Sequence, residues 1–174
     1  VLIALSLFLR LRLALWVTLG IPIALLGSAA LMPMMDVSIN MISLMAFITV
    51  LGIVVDDAIV VAENIHNHRQ RGKDGLSAAI DGTREMTVPV IFAVLTTIVA
   101  FMPMLFMPGS MGQFSRNIPL IVVACLAFSL IESLWILPSH LRHLPKEGKD
   151  QKRGIWGRLQ DKVNRGLERF IQRF

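Results

Sequence analysis

The residues best suited to chemistry are two neighbouring carboxylates, Asp56 and Asp57, inside the apolar run 39–65 with its core AFITVLGIVVDDAIVVAENI. Asp56 lies ten residues before His66, where polar sequence begins. At about 1.5 Å per residue that is about 15 Å, halfway through a hydrocarbon core of about 30 Å. One carboxylate at that depth costs about 2.5–3.5 kcal/mol on insertion scales, and a second adds to the cost. Intramembrane acids kept against such a cost are candidate relays for protons or ions. Adjacent positions on a helix are about 100° apart, so both carboxylates can face a bundle interior but not the same partner. Desolvation and mutual repulsion oppose two charges there, a nearby cation favours them, and protonation would break such an ion pair. The expected chemistry is an electrostatic switch worked by proton arrival. The driving force is about 2.3 kcal/mol per charge per 100 mV. The alternative is a polar clasp that ties this helix to a partner by ion pairing.

Other polar residues are weaker candidates. Glu63 is seven residues after Asp56, on about the same face and near the polar boundary, as a proton exit or a plain interfacial carboxylate. Glu132 stands seven or eight residues inside its own apolar run without an obvious partner, and functional and structural roles are both open. Thr96 and Thr97 can hydrogen-bond within their helix and need no function. His66 and His68 tempt a metal assignment, but alternate helix positions face apart and no cysteine or acid cluster completes a ligand set. Met32, Met34, Met35, Met102, Met104, Met107 and Met111 gather at one end of the spans. Soft methionine ligands could guide copper or silver, and flexible packing is the simpler expectation. No metal, cofactor or catalytic residue is assigned. The single cysteine, Cys125, allows no internal disulfide and is expected to pack.

The elements that must position these groups follow from composition. Of 174 residues 55% are hydrophobic and 17% charged, against about 45–50% and about 25% in soluble domains. The expected fold is all-α, a polytopic membrane helical bundle of one truncated and four full transmembrane helices with a C-terminal amphipathic surface helix. Residues 1–9 read as a truncated transmembrane helix, since the chain opens on Val1 in apolar sequence. Transmembrane helices are expected at 13–35, 39–65, 86–107 and 117–138. The polar stretch 66–85 is expected as a cytoplasmic loop, with a short helix possible over 74–81. Pro89 would sit in the first turn of its span, Pro103 would bend the far end, and Pro138 would end the last span. Gly20 and Gly27 are seven apart and share a face, where small residues allow close helix approach. Residues 139–174 are expected as a cytoplasmic basic segment. Within it Trp156, Leu159, Val163, Leu167, Phe170 and Phe174 recur at helical spacing opposite Arg158, Lys162, Arg165, Arg169 and Arg173.

Loop charge orients the bundle. Connections at Arg10 and Arg12, at 66–85 and from Arg142 onward carry two, four and ten Lys/Arg, whereas 36–38 and 108–117 carry none and one. The positive-inside rule makes the basic set cytoplasmic. Nucleic acid is a poor account of the basic tail, because no recognition motif accompanies it. No span contains Lys or Arg, so the counter-cation of the aspartate pair must come from outside this stretch of chain.

The block GIVVDDAIVVAENI resembles the fourth transmembrane helix of resistance–nodulation–division (RND) efflux pumps, the AcrB-like drug exporters. The preceding IPIALLGSAALMPMMDVSINMISLMAFITVLG is similar to the third helix and the turn into the fourth. AFMPMLFMPGSMGQFSRNIPLIVVACLAFSLIESLWILPSHL is similar to the fifth and sixth helices and their short periplasmic connection. Residues 155–174 are similar to the surface helix joining the two halves. The resemblance covers essentially the whole chain, from the end of the second helix to the helix after the sixth. It implies an inner-membrane permease that uses proton influx to export amphiphilic compounds. Asp56 and Asp57 match the family's two relay aspartates, whose Lys and Arg partners come from the second half. It further implies a homotrimer working with a periplasmic adaptor and an outer-membrane channel. The aspartate pair favours the drug-export branch over heavy-metal exporters, while Glu132 and LPSHL depart from the best-known drug pumps and leave the substrate open.

Rival classes are a lipid exporter or secretion motor of the same superfamily, an intramembrane aspartyl protease, and a structural scaffold. A protease of that kind needs its two aspartates on separate helices, and no second span here contains Asp. A scaffold predicts tolerance of Asp-to-Asn changes.

Overall fold

The computed structural model describes residues 11–142, so the segments 1–9 and 143–174, with the expected surface helix, lie outside the described residues. Among the described residues the architecture is all-α, without strands. Helix α1 spans Leu11–Leu31, α2 Met41–Gln70, α3 Gly75–Phe101, α4 Gly109–Ser115, α5 Asn117–Ile131 and α6 Leu137–Leu141. A 3-10 turn, Met32–Met35, extends α1, a second, Met102–Phe106, extends α3, and a π turn, Glu132–Ile136, joins α5 to α6. Four stretches are long and apolar enough to cross a membrane: Leu13–Met35, Met41–Gln70, Gly75–Phe106 and Gly109–Leu141.

Local chemistry sets the ends of these helices. Asp36 stops the first stretch in the left-handed region (φ 54°), a conformation that Asp tolerates better than most residues. Asn40 caps α2: its Oδ1 accepts from the N–H groups of Ile42 and Ser43, both at 2.9 Å, while its own N–H donates to Ser43 Oγ at 2.7 Å. This reciprocal box satisfies donors that the helix itself cannot. Gly72 (φ 93°) turns the chain after α2, and Asp74 Oδ2 caps α3 by accepting from Leu76 and Ser77 at 3.2 and 3.3 Å.

The stretch 66–85 is therefore not a loop. Helix α2 continues past residue 65 to Gln70, α3 begins at Gly75, and only four residues connect them. Loss of hydropathy marks where the helices leave the apolar region, not where they end. Beyond that boundary each helix bonds the other. Asn64 Nδ2 donates to the Gly82 carbonyl and to Glu85 Oε2, both at 3.0 Å, and His68 Nε2 lies 2.9 Å from the same Glu85 oxygen. Lys73 Nζ donates to Asp81 at 2.7 Å. Gly82 lets the two backbones close up, since a Cβ there would come within 2.7 Å of Ile65 Cα. Pro89 consequently lies inside α3 rather than in a first turn.

Pro138 does not end the last helix either, which runs to Leu141. Proline lacks the N–H that the carbonyl four residues back requires, and its ring crowds that carbonyl. The chain relieves this by widening: the N–H of Leu137 donates to the carbonyl of Glu132 across a π turn. Helix α2 packs against α1, α3 and α5, and α1 against α5. Gly27 receives the ring of Phe128 from α5, and the buried Cys125 thiol donates to Ser28 Oγ at 2.9 Å. Gly20 and Gly27 do share a face, turned to the last membrane stretch. The core forms two apolar clusters along the bundle. One includes Leu13, Val17, Val61, Ile65, Val90 and Leu137; the other includes Ala24, Val50, Val54, Val94, Ile121 and Leu126.

Candidate intramembrane carboxylate site

Helix α2 carries its two aspartates to different surroundings. Its buried stripe runs Val50, Val54, Asp57, Val61, Ile65, at steps of three and four. Asp57 is 7% exposed, and its Oδ2 is buried with no hydrogen-bond partner among the described residues. Val54 belongs to one apolar cluster and Val61 to the other, so Asp57 occupies the seam between them. Asp56 lies on the opposite kind of surface. Met41, Met45, Ile48, Gly52, Asp56 and Glu63 form an exposed stripe, and a Cβ added to Gly52 would meet nothing within 4 Å. The two acids are adjacent in sequence, but the fold does not bring them into one pocket.

The open stripe has a physical consequence. An acid at mid-helix depth is not stable against lipid alone, so this face requires a polar partner or water. Every Lys or Arg among residues 13–142 lies at a polar helix end or in a connection: Arg69, Arg71, Lys73, Arg84, Arg116 and Arg142. Glu63 is exposed at the polar end of the same stripe and is not brought against Asp57. His66 and His68 are engaged locally, His66 with Gln70 at 3.0 Å and His68 with Glu85.

Glu132 is the most thoroughly enclosed acid among the described residues, at 4% exposure. It opens the π turn, which packs on both α1 and α2. Its carboxyl lies directly against Gly20 of α1, where any Cβ would collide with it. Ser129, one turn earlier, and Thr18 of α1 each have a buried hydroxyl without a partner. Asp57 on α2 and Ser129, Glu132 and Ser133 on the last membrane stretch are thus buried polar groups on elements that pack together through apolar residues. Reasoning from the sequence singled out Asp57, Glu132 and, as a close-approach position, Gly20, but missed Ser129 and the meeting of Gly20 with Glu132. The available signal was Gly20 two residues before Pro22, a pairing that leaves backbone bare and breaks the helix ladder at one level.

Four membrane-length helices with carboxylates enclosed at their seam define a polytopic α-helical membrane protein. The sequence model of the AcrB/AcrD/AcrF family matches residues 1–174, and the chain belongs to that family, as its resemblance to RND pumps anticipated. It is 37% identical over 151 residues to proteins named multidrug resistance protein MdtC from Salmonella paratyphi B and Salmonella newport, and this covers 84% of the chain. The matched stretch spans 15% of the length of those relatives.

Proposed function

We propose that this chain is the proton-handling helical core of one half of an RND exporter of amphiphilic compounds, a proton antiporter of the bacterial inner membrane. The observation that carries this is Asp57: a buried mid-helix carboxyl whose Oδ2 lacks a partner, in a chain of the AcrB/AcrD/AcrF family. Asp57 holds a proton when no cation faces it and gives it up when one does. Asp56 on its open stripe receives the Lys or Arg side chains of the second half, and Gly52 lets a facing helix come close. Proton arrival removes charge from that contact, releases the cation, and lets the facing helices shift. A shift of packed helices is the kind of bistable motion that can alternate access to a distant substrate site.

The relatives' printed name supports drug export over the lipid, secretion and heavy-metal readings. Loop charge supports an orientation with the α2–α3 turn in the cytoplasm. The working unit is a homotrimer joined to a periplasmic adaptor and an outer-membrane channel, which together carry the substrate past the periplasm.

The test uses the full-length parent protein in inverted vesicles, with Asp57→Asn checked for expression and assembly. Asparagine keeps the size and removes the titration. Substrate-dependent proton movement against an imposed pH gradient is expected to vanish while assembly survives. Persistence near the wild-type level would leave Asp57 a structural clasp.

A further inference from the structure

Glu132 differs from the aspartate pair in a way that assigns it a separate task. Asp56 is open and can be met by helices from elsewhere in the protein, but Glu132 is closed off by α1, α2 and its own helix. No hydrogen bond or ion pair joins its carboxyl to another described residue. Among the described residues, the elements packed on it, α1 and α2, bring no Lys or Arg within their apolar stretches. Helix α1 carries no titratable residue from Leu13 to Leu31, and the buried face of α2 carries Asp57 and, at its polar end, His68, which is engaged with Glu85. On its own helix the nearest titratable side chain toward the polar end is His140, eight residues on, whose ring stacks on Trp16 at 4.1 Å. An ionised carboxylate held there would have little water and no counter-charge from the described residues, a situation proteins avoid.

The seat itself is built for a carboxyl group. Gly20 opens the space, and nothing larger than hydrogen fits in it beside the Glu132 carboxyl. Pro22 has no N–H to give the Thr18 carbonyl, so α1 offers a less committed acceptor near the same level. A protonated carboxyl can donate to such an acceptor; a carboxylate cannot. The backbone at Glu132 is the π turn, a one-residue widening of a kind frequent at functional sites.

From this geometry we infer that Glu132 is a second proton-binding carboxyl of the pump, distinct from the aspartate pair, seated on Gly20 when it holds a proton and driven from that seat when it does not. The step is simple in its balance: the carboxylate takes one proton from water and later returns it to water, with no other bond changed. Movement of the side chain is coupled to the π turn and so to the α1–α5 contact. The inference rests on the exporter reading above.

The test is made on the full-length pump reconstituted in liposomes. Infrared difference spectra across a pH titration follow protonated carboxyl groups, and coupled proton flux per assembled trimer is measured over the same range. Glu132→Gln is expected to remove one titrating carboxyl band that Asp57→Asn leaves in place. It is also expected to move the flux profile by about one pH unit or more. Gly20→Ala, which collides only with the movable end of Glu132, keeps the carboxyl and is expected to displace the same band. Ser129→Ala removes the neighbouring hydroxyl at little change in volume and is expected to shift the band in frequency. An unchanged set of bands in Glu132→Gln, or a lower yield with the per-trimer profile intact, overturns the inference. If Glu132→Gln does not assemble, wild-type bands and profiles in both Gly20→Ala and Ser129→Ala overturn it. Flux that survives Asp57→Asn sinks the exporter reading instead, while loss of the Glu132 band would still show a proton site.

Discussion

The acids at the tip of the α2–α3 hairpin and the acids at the seam of the bundle are handled in opposite ways. At the tip each carboxyl is bonded: Asp74 to the first turn of α3, Asp81 to Lys73, Glu85 to Asn64 and His68. At the seam neither Asp57 nor Glu132 forms an ion pair with another described residue, although both are far more buried. Exposed acids that have partners are structural, because water would have served them almost as well and each bond adds only modestly. Enclosed acids without partners are not explained by stability, since leaving a buried polar group unbonded works against the fold. The contrast fits the proposed chemistry at the seam and a scaffolding role at the tip.

The largest effects should separate the two regions by function. Asp57→Asn is expected to abolish coupled transport, whereas Asp81→Asn is expected to leave transport per trimer about unchanged, as for most exposed pairs. Equal losses in vesicle flux assays would erase the distinction. Next in size is Gly82→Leu. Its side chain meets the Ile65 backbone, and overpacking of this kind costs about 1–3 kcal/mol. Thermal unfolding in detergent should show it, with coupling per surviving trimer intact. Asn40→Ala removes the box at the start of α2, a loss of about 1 kcal/mol. It is read as faster amide exchange at Ile42 and Ser43.

The smallest effect is a pH dependence at the tip. Hydrogen bonds from Ser77, side chain first and backbone second, hold the exposed Asp74 carboxyl below the ordinary aspartate value of 3.8. A carboxyl lowered on folding adds stability above its unfolded value, and that stability is lost as pH falls through the folded one. Protection of the Leu76 and Ser77 amides should therefore be constant from neutrality down to 3.8 and decline only below it. A decline starting near neutrality would mean that Asp74 is not the group responsible.

The spans were legible because uncharged runs such as 13–35 leave few other options for a chain. The aspartate pair was legible because two acids in such a run contradict their surroundings. The hairpin tip was misread because polarity was taken for irregular backbone. His68, Asn64 and Glu85 are polar, yet they point at one another from two helices, and a single sequence does not show that pairing. The split between Asp56 and Asp57 was hidden for a related reason. A step of about 100° places both near the interior on paper, and only packing decides which side is closed. The π turn was illegible because Pro138 admits two outcomes, termination or widening, and tertiary contacts with α1 and α2 accompany the second.

The continuity of α2 makes it a rod as well as a carrier of acids. From Asp57 to Gln70 the helix is unbroken, a length of about 20 Å. A tilt of about 10° at the aspartate would carry the turn at Arg71 and Gly72 through roughly 3 Å. Because α3 is fastened along that length by Asn64, His68 and Gly82, the hairpin would swing as one piece. Events at a single proton site inside the bilayer would then be broadcast as displacement of its water-facing tip, where a spectroscopic label could report them.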